Sequence, residues 1–223
     1  MRLQFSSRTV GDVVVVQCAG RLVAGEEAQS FQDHVRRELI EIPFIVLNAR
    51  ELDFVDSSGL GAIVRLMSAA RAEGGDLKLC QLPDLMRKSI EMTNLHRVLE
   101  IYENESDAIV ACCGKRKLVD GRPPHVPPAI LCVGDTPEIR AYLGELLRRA
   151  GLSVLTTGNL ADAQVLLKAG KLRLIIANEK HAQALGRVSG PVPILRLAEN
   201  FSTHDAGEAG ADLLAQIKKH IEN

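Results

Sequence analysis

The run Asp56-Ser57-Ser58-Gly59-Leu60-Gly61 lies where a strand gives way to a helix, and it constrains this chain more than any other segment. Before it, Phe44-Ile45-Val46-Leu47-Asn48 and Leu52-Asp53-Phe54-Val55 read as one strand and its continuation toward a turn. After it, Ala62 to Arg71 repeats apolar residues at helical spacing until Gly74-Gly75 stops the pattern. Ser57 and Ser58 are therefore expected at or next to the N-cap, beside backbone N–H groups with no partner inside the helix. Two readings follow. The serines are a helix cap and nothing more, or they carry a phosphate, which the dipole and free N–H groups of a helix start would stabilise. Position alone leaves both open.

Around this run the first half of the chain resembles a STAS domain, the fold of bacterial anti-sigma factor antagonists. The resemblance rests on Gly20-Arg21-Leu22 closing an early strand, the strand Ile45 to Asn48, the Asp56-to-Gly61 run and the segment Asn94-Leu95-His96-Arg97-Val98. It implies that Ser57, the first serine after the aspartate, is a phosphoacceptor, with Ser58 the neighbouring hydroxyl and a cap. Asp53, Asp56, Ser58, Gly59 and Val23 would surround it at the contact with a partner. Antagonists often carry an acidic residue directly after the Gly-x-Leu run, where this chain has Val23.

Composition bounds the rest. The 223 residues are enough for two ordinary domains, and 46% hydrophobic with 25% charged residues describes globular protein. Aromatic residues make up only 3% and tryptophan is absent, so the cores must be built from Leu, Val, Ile and Ala. The net charge of −1 gives no electrostatic footprint for nucleic acid, and the stretch to Gly114 is mildly acidic, roughly −5. No apolar run approaches a membrane span and no signal peptide opens the chain, so a cytoplasmic protein is expected. Cys18, Cys80, Cys112, Cys113 and Cys132 lack metal-ligand spacing, and most fall in apolar patterns where a reduced cysteine packs as a small hydrophobe.

The expected architecture is α/β throughout, in two domains. Residues 1–114 read as a mixed sheet with packed helices. Strands fall over Leu3–Thr9, Val13–Ala19, Asp76–Gln81 and Leu99–Tyr102; helices over Glu26–Ile40, Ser58–Arg71, Pro83–Met92 and Ser106–Cys113, the last capped by Ser106. Residues 115–128, with Lys115-Arg116-Lys117 and four prolines, read as a semi-rigid linker. Residues 129–223 alternate strands (Ala129–Val133, Val154–Thr157, Leu172–Ala177, Val192–Leu197) with helices from Glu138, Leu160 and about Ala209. Asn159 is a plausible cap for the second of these helices. This is the rhythm of a doubly wound parallel sheet.

The second half is similar to a response-regulator receiver domain, in pattern more than in motif. Its phosphotransfer residues are mostly replaced. The acid pair after the first strand falls on Gly134 and Asp135, and the acceptor aspartate on Asn178. The hydroxyl position falls on Leu197, and no Lys-Pro follows. An amide is neither the nucleophile an acyl phosphate requires nor a good Mg²⁺ ligand. Asp135 by itself reads as a turn or cap residue. The resemblance thus implies a pseudo-receiver kept for dimerisation or docking.

An enzyme finds little support. Gly59-Leu60-Gly61 is too short for a dinucleotide fingerprint, and no Gly-Lys-Ser/Thr phosphate loop occurs. Ser57 could be joined on paper to His34 or His96, but no Gly-x-Ser-x-Gly elbow surrounds it. No catalytic residue, metal site or cofactor is expected. The resemblance implies instead a partner switch: unphosphorylated Ser57 permits binding of an anti-sigma factor of serine-kinase type, which releases a sigma factor. A metal-dependent serine phosphatase would reset it. The alternative is an adaptor whose Ser57 is never modified and whose second domain docks or dimerises.

Overall fold

A computed structural model describes residues 2–113, 129–169, 172–197 and 206–221. The chain divides into two compact units, Met1–Pro124 and His125–Asn223. The stretch expected as linker, residues 115–128, lies outside the described residues, as does the segment around Phe201.

In the first unit, β1 (Gln4–Val10) and β2 (Val13–Leu22) form an antiparallel hairpin. Gly11 turns the chain at φ 60°, a left-handed conformation that glycine adopts without strain. There follow α1 (Glu26–Glu41), β3 (Phe44–Val55), α2 (Ser57–Ala72), β4 (Asp76–Cys80), α3 (Asp84–Met92), a 3-10 turn (Leu95–Arg97), β5 (Glu100–Tyr102) and α4 (Glu105–Cys112). The sheet order is β1-β2-β3-β4-β5, with every pair after the hairpin parallel. Alternation along the strands sends Val14, Val16, Ile45, Leu47, Leu77 and Leu79 to one face, where they pack with Phe31 and Val35 of α1, Ile63 and Leu66 of α2, and Ile90 of α3. The opposite face carries α4, which packs on β2, β3 and β4 and buries Ala108, Ile109 and Cys112. Lys78, fully buried on β4, is held by Asp76 at 3.0 Å and Glu100 at 2.7 Å.

The second unit runs β6 (Ala129–Val133), α5 (Pro137–Arg149), β7 (Val154–Thr157), α6 (Leu160–Ala169), β8 (Leu172–Ala177), α7 (Glu179–Leu185), β9 (Ile194–Arg196) and α8 (Ala206–Ile221). Its four described strands are all parallel, in the order β7-β6-β8-β9. Ile130, Cys132, Leu174 and Ile176 pack against Leu143 and Leu147 of α5 and Leu213 and Ile217 of α8. Helices α6 and α7 pack on β6 and β8 as well.

Several boundaries differ from the sequence reading, each for a local reason. Asn104, not Ser106, caps α4: its side chain accepts from the Asp107 N–H at 2.9 Å. The second strand pairs on through Leu22, and β4 ends at Cys80 because Gln81 turns to φ 54°. The last strand contracts to Ile194–Arg196, and α8 begins at Ala206. Helix α7 was not expected at all; it is two turns long, too short for a periodic signal to stand out. Asn159 does cap the turn into α6, accepting from Asp162 N–H at 2.8 Å.

Candidate functional site

The Ser57 run sits at the C-terminal edge of the parallel strands, where β3 hands over to α2. The N-cap is Asp56: the serines stand next to the cap, one of the two placements expected of them, and Ser58 does not serve as the cap itself. The Asp56 backbone is extended (φ −89°, ψ 179°), and its Oδ1 accepts from the Gly59 N–H at 2.7 Å. Its Oδ2 accepts from the Ala24 N–H at 3.1 Å, tying the β2–α1 loop to the helix start. The Gly59 N–H, then those of Ala24 and Ser58, hold the Asp56 carboxyl below its usual range, against a partial desolvation that works the other way.

With the cap taken by a carboxylate, Ser57 and Ser58 occupy the first two helical positions, both exposed. Neither hydroxyl bonds any described residue. Gly59 has a separate reason to be glycine. A Cβ there would lie 2.3 Å from the Leu22 carbonyl oxygen and 2.9 Å from Val55 Cγ1, so the α2 start rests directly on the end of β2. A β-carbon at Gly61 would meet only the guanidinium end of Arg65, at 3.2 Å.

The surround is mixed in character. Asp53 is exposed and Val23 half-buried. Phe54 is 45% exposed with the Arg21 guanidinium 5.2 Å from its ring centroid, and Leu85 on α3 is 68% exposed. Between them lies a notch of about 120 Å³ whose lining includes Asp53, Pro83 and Met86. Phe54, Arg21 and Leu85 were not singled out from sequence. Strand alternation marks Phe54 as outward-facing but says nothing of an α3 residue beside it. His34 and His96 do not approach Ser57 as bonding partners: His34 bonds Ser7 at 3.1 Å, and His96 lies in the 3-10 turn after α3.

In the second unit, most of the residues to which the sequence resemblance assigns receiver positions gather at the C-terminal ends of β6 and β8. Val133 pairs with Ala177, so Gly134-Asp135 and Asn178 leave neighbouring strands together. Asn178 is the N-cap of α7, its side chain accepting from the His181 N–H at 2.9 Å. Asp135 neither caps a helix nor stands alone: its Oδ1 is 3.3 Å from Nε2 of buried His181. Thr136 holds the N-cap position of α5. The Arg140 guanidinium donates to the carbonyls of Gly134 at 2.6 Å and Asp135 at 3.1 Å. Leu197 follows β9, buried, its N–H donating to the Ala177 carbonyl at 2.8 Å. His181 and Arg140 were missed because one belongs to the unexpected helix and the other acts through backbone carbonyls.

All five cysteines are free thiols. Burial pushes Cys18, Cys80 and Cys132 up to about 12 and Cys113 to about 11, so these four stay protonated at neutral pH. Among the described residues, no three His, Cys, Asp or Glu side chains gather to hold a metal ion, and no helix is long and apolar enough to cross a membrane.

Residues 4–108 match the model of the STAS domain family. The anti-sigma F factor antagonist of Paenibacillus polymyxa is 28% identical over 112 residues, which are 49% of this chain and 94% of that protein. The solved structure of the unphosphorylated Bacillus anti-sigma factor antagonist SpoIIAA is 23% identical, covering 50% of this chain and 99% of that one, with a TM-score of 0.42. An anti-sigma factor antagonist from Mycobacterium paratuberculosis is 18% identical, covering 49% and 93%, with the same TM-score of 0.42. The first half of the chain is a STAS domain. Its homologues are anti-sigma factor antagonists.

Proposed function

We propose that the protein is a phosphorylation-controlled partner switch. Unmodified, its Ser57 surface binds an anti-sigma factor of serine-kinase type and so releases a sigma factor. The observation that carries this reading is the division of labour at the helix start. Asp56 supplies the cap, and Ser57 stands exposed with an unengaged hydroxyl that a kinase can reach. A phosphate there gains from the helix dipole but brings about −1.5 to −2 charges beside Asp53 and Asp56. An acidic partner face is then repelled, and Phe54 and Leu85 no longer reach their apolar contacts. A metal-dependent serine phosphatase restores binding. The protein itself catalyses nothing and acts in the cytoplasm, in keeping with its regulatory homologues.

The second unit, on this reading, is a receiver-like domain without phosphotransfer. The order β7-β6-β8-β9 reverses between β6 and β8, where doubly wound domains place their ligands. There the acceptor position is an amide engaged as a cap, and Asp135 is turned toward His181. We assign it dimerisation or docking.

The test is capture from host lysate with wild-type and Ser57→Asp baits, read by mass spectrometry. A kinase-fold ATPase retained by wild type and lost with Ser57→Asp supports the switch. Equal capture by both baits, with no kinase among the proteins, overturns it in favour of an unmodified adaptor.

A further inference from the structure

Helix α4 covers only part of the sheet face opposite the main core. Beyond its N-terminus the face is left open as a polar cavity of about 620 Å³, on the other side of the sheet from the hydrophobic core and unrelated to Ser57 chemistry. Register lines up Ser6, Gln17 and Asn48 across three strands as its floor.

Two backbone irregularities converge on this cavity. Between Asn48 and Glu51 β3 bulges against β2, and the bulge is pinned by the Arg50 N–H donating to Asn48 Oδ1 at 3.0 Å. Bulges of this kind re-aim side chains next to sites. Gln81, beyond β4, takes φ 54°, a left-handed conformation that costs a non-glycine residue and persists where surroundings enforce it. Here the enforcement is visible. Asn48, 7% exposed, donates from one amide nitrogen to Gln81 Oε1 and Glu105 Oε2, both at 2.8 Å. Arg8 in turn holds Glu105 at 2.7 Å. The Gln81 carboxamide is thus oriented through its oxygen, while its N–H₂ end bonds no described residue.

The lining defines the ligand's chemistry. Arg50 is offset by Glu51, and Glu105 by Arg8, so the cavity holds no excess charge for a phosphate or other polyanion. Nor is there an aromatic face for a nucleobase: Phe5, the one aromatic residue in the lining, packs its ring into the core, edge-on against Phe31 at 5.6 Å. What remains is a concave array of amides and hydroxyls offering donors and acceptors together. We propose that this cavity binds a neutral polyhydroxylated small molecule, a monosaccharide or cyclic polyol, with Gln81 and Gln17 as direct contacts and Asn48 as the residue that positions Gln81.

The full chain, labelled with ¹⁵N, is titrated with myo-inositol and with D-glucose up to about 100 mM, and separately with inorganic phosphate and AMP. Saturable shifts of the Gln17 and Gln81 side-chain amides are expected with at least one polyol, at a dissociation constant on the order of millimolar for so small a ligand. Gln81→Gly keeps the left-handed backbone and removes the amide; Gln17→Ala changes an exposed side chain. Each weakens binding about fivefold, the loss of one net hydrogen bond. The proposal is overturned if neither polyol gives saturable shifts, if both variants bind as wild type does, or if only phosphate or AMP moves these resonances.

Discussion

Two helix starts in this molecule have the same local design and opposite chemical availability. At α2 the cap is Asp56 and the residue of interest, Ser57, comes one position later with its hydroxyl free. At α7 Asn178, the residue that the sequence resemblance sets at a phosphoacceptor position, is itself the cap, its oxygen committed to the His181 N–H. Both follow a parallel strand at its C-terminal end and both accept from the third helical N–H. Capping and reactivity compete for the same side-chain oxygens, and a helix start stays modifiable only where a different residue caps it.

The comparison breaks most severely at Gly59. Gly59→Ala drives a methyl into the Leu22 carbonyl, a backbone atom that cannot rotate away, so α2 must lift from β2. A loss of about 3 kcal/mol is expected in urea unfolding. A loss under about 1 kcal/mol would mean that the α2 start is not seated on β2 as described.

Next comes the clasp. Asp56→Ala frees the Gly59 and Ala24 N–H groups together and should cost about 2 kcal/mol, the upper range for a cap. Asp56→Asn keeps most of the cap but removes the titration. The folded-state carboxyl of Asp56 lies below its unfolded value, so its stabilisation is complete above about pH 4 and is lost as pH falls through the folded value. The stability advantage of wild type over Asp56→Asn should therefore shrink on acidification from about pH 5 to about pH 3. An advantage unchanged across that range would sink the clasp as an ionised contact.

The site was legible in the sequence to a limited depth. The strand, the Asp56-to-Gly61 run and the helix after it could all be read, because apolar periodicity and turn chemistry are local. Which residue caps was not legible: Asp, Ser and Ser are all good caps, and the choice is made by the Ala24 N–H arriving from another loop. The same ambiguity moved the α4 cap from Ser106 to Asn104. Gly59 looked like part of a pattern, and only the approach of Leu22 explains it. In the second unit the parallel sheet was legible from the βαβ rhythm, whereas its order β7-β6-β8-β9 came only from the structure. The Asp135–His181 pair instead depended on α7, whose seven residues carry too little periodicity to announce a helix. The polar cavity draws on β1, β2, β3, the turn after β4 and the start of α4, so no single stretch of sequence encodes it.

The two caps also predict different substitution patterns. Asn178→Ala should cost about 1 kcal/mol, and Asn178→Asp less than about 0.5 kcal/mol, because aspartate caps as well as asparagine. Incubated with acetyl phosphate and Mg²⁺, Asn178→Asp should acquire no phosphoryl mass on the second unit. Its new carboxylate would be held by the His181 N–H, and Asp135 already faces His181 rather than an open metal position. A stoichiometric gain of phosphate would show that receiver chemistry was one residue away.

The smallest expected effect is the most discriminating. Ser57→Ala removes a hydroxyl that bonds nothing, at a helical position where alanine is the better helix former, so stability should change by no more than about 0.5 kcal/mol. A residue that is only structural cannot be silent in folding and decisive in binding; a modification site can. If Ser57→Ala unfolds like wild type, retains its partner and resists release by the kinase under conditions that release wild type, the free hydroxyl is the switch. If Ser57→Ala is destabilised by as much as the Asp56 variant, the serine shares the cap after all, and the contrast between the two helix starts collapses.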